Sequence, residues 1–113
     1  MLNTTIAKEG DISVVYLDGE LTATTEDELT KLLLGRASDG NNRLILDLSE
    51  IGYLSSNGLR PLLSWLDATK SSSGKRRLAV CGLQEFVQSV FQITGFDRKF
   101  PIYDSIDSAL GCF

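Results

Sequence analysis

The chain has 113 residues, the size of one ordinary domain, with 42% hydrophobic and 23% charged residues, which marks a globular protein rather than a disordered one. Its net charge is -4, from 11 basic and 15 acidic residues, and general nucleic-acid or membrane-surface binders are normally basic. Histidine is absent and the only cysteines are Cys81 and Cys112, which removes the commonest base near neutral pH, the commonest metal ligand and every Ser-His or Cys-His catalytic pair.

Reading from the N-terminus, Met1–Thr5 lacks the charged and apolar segments of a signal peptide. No apolar run approaches the roughly 20 residues of a spanning helix. A cytoplasmic protein that needs no membrane, nucleic acid, metal or cofactor is the expectation. Residues 3–8 read as a weak edge strand, and Gly10-Asp11 as a turn. Ile12–Leu17 is rich in β-branched residues and reads as a strand ended by Asp18-Gly19. Thr25-Glu26-Asp27-Glu28 has the Thr-x-x-Glu form of a capping box. Leu29, Leu32, Leu33 and Arg36 follow at helical spacing, and Asp39–Asn42 stops that helix.

Leu44–Leu48 is a nearly continuous apolar run, as expected for a strand covered on both faces of a parallel sheet. Leu59, Leu62, Leu63 and Leu66 predict a helix over 58–70. Pro61 suits only a first helical turn, so regular helix should begin near Gly58–Arg60, with Ser55 and Ser56 in the loop before it. Ser71–Gly74 reads as the exit loop, and Arg77–Cys81 as another buried strand. Leu83, Phe86, Val87, Val90 and Phe91 predict a helix closed by Gly95, with Phe86, Val87, Val90 and Phe91 in the core. Phe100–Tyr103 reads as a short edge strand, and Asp104 or Ser105 as the cap of a last helix holding Ile106, Ala109 and Leu110.

The order β-β-α-β-α-β-α-β-α, without repeats or linkers, predicts one α/β domain over 1–113: a mixed, mostly parallel sheet of about five strands with four helices packed on it. Sites in such sheets gather at the carboxyl ends of strands. That singles out Asp18–Thr22, Gly82–Gln84 and the long connection Ser49–Gly58. The last carries Ser55, Ser56 and Asn57 just before a helix. Helix capping explains such residues; the same geometry also lets a serine there carry a phosphate. Enzyme motifs are missing. Ser71–Arg76 lacks the first glycine and the Ser/Thr of a phosphate loop, and neither Gly-x-Ser-x-Gly nor Gly-x-Gly-x-x-Gly occurs. Lys75-Arg76-Arg77 is read as a solvated charge cluster rather than a nucleic-acid site.

The stretch Leu44–Leu59, containing Leu54-Ser55-Ser56-Asn57-Gly58-Leu59, resembles the central signature of the STAS domain, whose best-known members are bacterial anti-sigma factor antagonists. Gly19-Glu20-Leu21, Val80-Cys81-Gly82-Leu83, Thr94-Gly95-Phe96 and Phe100–Leu110 match the family in the same order, so the resemblance spans residues 10–110. It implies a non-enzymatic switch. Such a domain binds an anti-sigma factor that is also a serine kinase and so regulates transcription. Phosphorylation of the domain ends the binding, and a phosphatase resets it. The acceptor pattern falls on Ser56, with Ser55 as the alternative, and implies partner contacts at Thr22, Ser55, Ser56, Asn57, Gly58 and Leu59. Ser55 and Thr22 stand where many members carry Asp, which removes two negative charges near the site. The other role open to this fold is an unphosphorylated scaffold, or a regulatory subunit of a signalling complex or transporter.

Overall fold

The computed structural model describes residues 2–40, 42–72 and 76–113. Strands β1 (Leu2–Glu9) and β2 (Ile12–Leu21) form an opening hairpin. Helix α1 (Glu26–Ser38) leads to β3 (Arg43–Leu54), a 3-10 turn (Ser56–Leu59) and α2 (Arg60–Ala68). Then come β4 (Arg77–Cys81), α3 (Glu85–Thr94), β5 (Ile102–Tyr103) and α4 (Ile106–Leu110). The strands lie in chain order, β1-β2-β3-β4-β5. Among the described residues only the β1–β2 pairing is antiparallel. The expected α/β architecture, with five strands and four helices, is the one found.

Chain-order strands linked by right-handed crossovers place α1, α2 and α3 on one face of the sheet. Side-chain alternation agrees. Val15, Leu17 and Leu21 of β2, with Leu78 and Val80 of β4, enter the main core with Leu29 and Leu33 of α1, Trp65 of α2 and Phe91 of α3. The opposite residues, Ile12, Val14, Ile45 and Cys81, form a smaller cluster under α4 with Ala109, Tyr103 and Phe113. Burial pushes the Cys81 thiol up to about 12, with the Asp47 carboxylate adding to the effect.

Several expectations change. β2 continues through Gly19, which at φ 134 takes a backbone that favours glycine. β3 also runs on, past Leu48 to Leu54, so the long connection expected over Ser49–Gly58 shrinks to Ser55 between strand and 3-10 turn. Two register shifts make this possible: Tyr16 pairs Asp47 but Asp18 pairs Glu50, and Gly19 pairs Ile51 but Glu20 pairs Tyr53. Each inserts an extra residue in β3, a bulge that flips the inward face. Hence Leu44, Leu46, Leu48, Ile51 and Leu54 all point into one core despite the broken period.

Thr25 precedes α1 but forms no capping box. Its hydroxyl donates to the Glu20 carbonyl at 2.8 Å and accepts the Thr22 N–H at 3.0 Å. Phe86 is not core but half exposed, and Leu63 lies on the outside of α2, whose buried residues are Pro61, Leu62 and Trp65. Pro61 does sit in the first turn of α2, where its missing N–H costs nothing. Ser105, of the two residues named, caps α4 by accepting the Ser108 N–H at 3.1 Å. Ser73, Gly74 and Lys75 lie outside the described residues.

Candidate functional site

The carboxyl ends of β2 and β3 meet the start of α2 in a tightly joined junction. The Ser55 N–H donates to the Leu21 carbonyl at 2.9 Å, and the Gly58 N–H donates to the Ser55 carbonyl at 2.9 Å. Gly58 is buried against the end of β2. A Cβ built there would overlap the Leu21 carbonyl and stand 2.8 Å from the Thr22 nitrogen. Glycine is therefore what lets the 3-10 turn close on β2. Leu59, at 0% exposure, anchors the same turn in the core.

All the residues expected at the site converge here. Ser56 and Asn57 are exposed at the head of the turn, Ser55 and Thr22 are half-buried beside them, and Gly58 and Leu59 are buried. Gly58 and Leu59 thus offer no surface; what they contribute is the shape of the junction. Ser55 precedes the turn in extended backbone and makes no side-chain capping bond, so the capping explanation of the serine pair does not apply to it. On the β2 side, the Thr22 and Thr24 hydroxyls share a 2.7 Å hydrogen bond. Thr25 ties that loop to the Glu20 carbonyl. Arg60, one residue beyond the turn, pairs with Glu26 of α1 at 3.5 Å.

The sequence reading missed the neighbouring surface. Tyr53, three residues before Ser56, is 47% exposed and Phe86 is 50% exposed. Their rings stack at 5.7 Å and 13°. Gln84 fixes the start of α3 to this end of β3 by donating to the Ser49 carbonyl at 3.0 Å. One signal was present: Phe86 precedes Val87 by a single residue, about 100° around the helix from the centre of the buried stripe.

The described part of the basic cluster is occupied structurally. Arg76 donates to the Leu66 carbonyl at 2.7 Å and to the Thr69 hydroxyl at 3.1 Å. Arg77 donates to the Tyr103 hydroxyl at 3.0 Å and lies over the Phe113 ring. Among the described residues no group of three His, Cys, Asp or Glu side chains is placed to hold a metal ion, and no helix is long and apolar enough to cross a membrane.

Comparison with known proteins matches residues 3–109 to the STAS domain family. BtrV of Bordetella bronchiseptica, whose name assigns it to the anti-sigma factor antagonists, is 30% identical over 109 residues, covering 96% of this chain and 92% of its own. The anti-sigma-B factor antagonist of Staphylococcus epidermidis is 28% identical over 94 residues, covering 83% of this chain and 85% of its own. The crystal structure of an anti-sigma factor antagonist from Mycobacterium paratuberculosis superposes with a TM-score of 0.83 at 28% identity, covering 99% of this chain and 93% of that one. With the serine junction and all but the first residue of β1 and the last of α4 inside the matched span, the chain belongs to the STAS domain family.

Proposed function

We propose that this protein is a cytoplasmic, non-enzymatic anti-sigma factor antagonist, that its partner is an anti-sigma factor with serine kinase activity, and that phosphorylation of Ser56 ends their contact. The names of its relatives support the first part. The observation that carries the second is the placement of Ser56. It is exposed at the head of a turn locked to β2 through Gly58 and Leu21, whereas Ser55 is half-buried with its backbone N–H and carbonyl both engaged. A kinase reaches the Ser56 hydroxyl without unfolding anything, and a partner meets it on a rigid support. Thr22, Ser55 and Asn57 frame that contact, while Gly58 and Leu59 hold its shape.

The switch is electrostatic. A phosphate adds about -1.5 to -2 charges at pH 7. Placed in a packed interface it must be desolvated and opposes any facing carboxylate. A penalty of about 3–4 kcal/mol weakens binding several-hundred-fold. No rearrangement of the fold is needed, and a phosphatase that removes the phosphate restores the contact.

The test is phosphate mapping by mass spectrometry after treatment with the cognate anti-sigma factor kinase, beside binding measurements. Ser56→Ala should abolish phosphorylation and keep binding, Ser56→Asp should weaken binding, and Ser55→Ala should still be phosphorylated. Phosphate on Ser55 would move the acceptor by one residue. No phosphate, with a kinase active on its own substrate, would sink the switch.

A further inference from the structure

The stacked pair Tyr53 and Phe86 is an unusual thing to leave in water. Two aromatic rings, each about half exposed, cost hydrophobic free energy that inward rotation or replacement by polar residues would recover. The shelf they form continues along α3 to Ile93, which is 83% exposed and two turns beyond Phe86 on the same side of the helix. It adjoins the serine junction, because Tyr53 lies on β3 directly before Leu54 and Ser55.

Two acidic residues stand beside the Tyr53–Phe86 pair. Glu20 is the register partner of Tyr53 on the adjoining strand, and Glu85 precedes Phe86 in the first turn of α3. The ion pairs found among the described residues join Arg36 to Asp39, Arg43 to Asp11, Arg60 to Glu26 and Lys70 to Asp67. None of them neutralises Glu20 or Glu85. An apolar centre flanked by these two carboxylates is the complement of an apolar segment carrying basic side chains. Aromatic faces add a specific preference for a guanidinium laid over them.

We propose that the Tyr53–Phe86 shelf is a second anchor point for the anti-sigma factor partner, receiving an arginine-bearing apolar segment of it against the flanking carboxylates of Glu20 and Glu85. This rests on the partner named under the proposed function and adds where and how that partner is held beyond Ser56. The two contacts divide the work. The serine junction decides whether the complex forms, and the shelf supplies aromatic contact area and long-range attraction that a phosphate at Ser56 does not remove.

The test measures the affinity and association rate of the purified cognate anti-sigma factor kinase for wild-type chain, Phe86→Ala, Tyr53→Ala, Phe86→Tyr and Glu85→Lys. Both alanine variants should lose roughly tenfold in affinity, as central aromatic contacts do, with folding checked by circular dichroism and melting. Phe86→Tyr should restore binding because it keeps the ring. Glu85→Lys should slow association, and wild-type association should slow as salt is raised. Unchanged affinity for both alanine variants, while Ser56→Asp still weakens binding, would overturn the shelf and leave the proposed function standing. Loss of self-association in Phe86→Ala without loss of kinase binding would overturn it in favour of a second copy of this chain. Failure of the wild-type chain to bind any anti-sigma factor kinase would remove both proposals together.

Discussion

Gly58→Ala is the substitution that most directly tests how the serine junction is built. The added methyl would overlap the Leu21 carbonyl and lie 2.8 Å from the Thr22 nitrogen. All of these are backbone atoms, so no side chain can swing aside. Either the 3-10 turn lifts or the end of β2 retreats, and both movements stretch the 2.9 Å bond from the Ser55 N–H to the Leu21 carbonyl. Overpacking costs about 1–3 kcal/mol, and the strained hydrogen bond about 1 kcal/mol more. The expected loss of about 2–4 kcal/mol should lower the melting midpoint by about 8–16 °C in a domain of this size. Thermal unfolding followed by circular dichroism reads this directly. Gly35→Ala is the matched control: nothing lies within 4 Å of its Cβ and it sits inside α1, so it should stabilise by about 0.5–1 kcal/mol. A Gly58→Ala midpoint within about 2 °C of wild type would refute the claim that close approach to Leu21 demands glycine.

Phe91→Ala should cost about 3–5 kcal/mol in chemical denaturation, because Phe91 is fully buried and meets the edge of Phe96 at 6.2 Å; a loss under about 1 kcal/mol would contradict its place at the centre of the core. Arg76→Ala should cost about 1–2 kcal/mol, measured the same way, by leaving the carbonyl of Leu66 and the hydroxyl of Thr69 without their donor. Cys81, 1% exposed with its thiol held up to about 12, should resist alkylation at pH 8 while exposed Cys112 reacts, so mass spectrometry should count one adduct in the native protein and two after unfolding. The unfolded thiol loses its proton near 9.0 and the folded one at about 12. Between those values the native state holds the extra proton, so the Cys81 contribution to stability is intact below pH 9 and falls as pH rises towards 12; a stability flat or rising across that window in wild type relative to Cys81→Ala would contradict it.

Much of this architecture can be read from residues alone, because where local patterns are regular they agree with the tertiary structure. Val87 and Phe91 with Gly95 beyond them define α3, and Ser105 defines the start of α4. The reading fails where periodicity is interrupted. The inward residues of β3 fall at 44, 46, 48, 51 and 54. Alternation holds for the first three and is lost at each bulge, so the sequence pattern stops at Leu48 while the backbone pairing continues to Leu54. The same error made the serine junction look like a long loop, although its position and residues were legible. Thr25 failed for another reason: its sequence fits a capping box, but the Glu20 carbonyl lies within reach of its hydroxyl only because the chain folds back after β2. The aromatic shelf was hidden because a phenylalanine beside a buried stripe reads as part of it. Its ring stacks instead on Tyr53, which is remote in sequence.

The chain-order arrangement of the strands has a consequence for the kind of molecule this surface accommodates. Open α/β sheets bind small ligands in the crevice that opens where strand order reverses and neighbouring crossovers leave on opposite faces. Here β2, β3 and β4 follow one another without reversal, and their crossovers all leave on the same side. No such cleft is generated. The connections after β2, β3 and β4 instead stand in a row along one rim, presenting Thr22 and Thr24, then Ser55 and Ser56, then Gln84 and Glu85. A row of this kind suits a broad, shallow contact that touches all three at once. Each connection is anchored by its own backbone bonds, so side chains on one can diverge without disturbing the backbone of the other two.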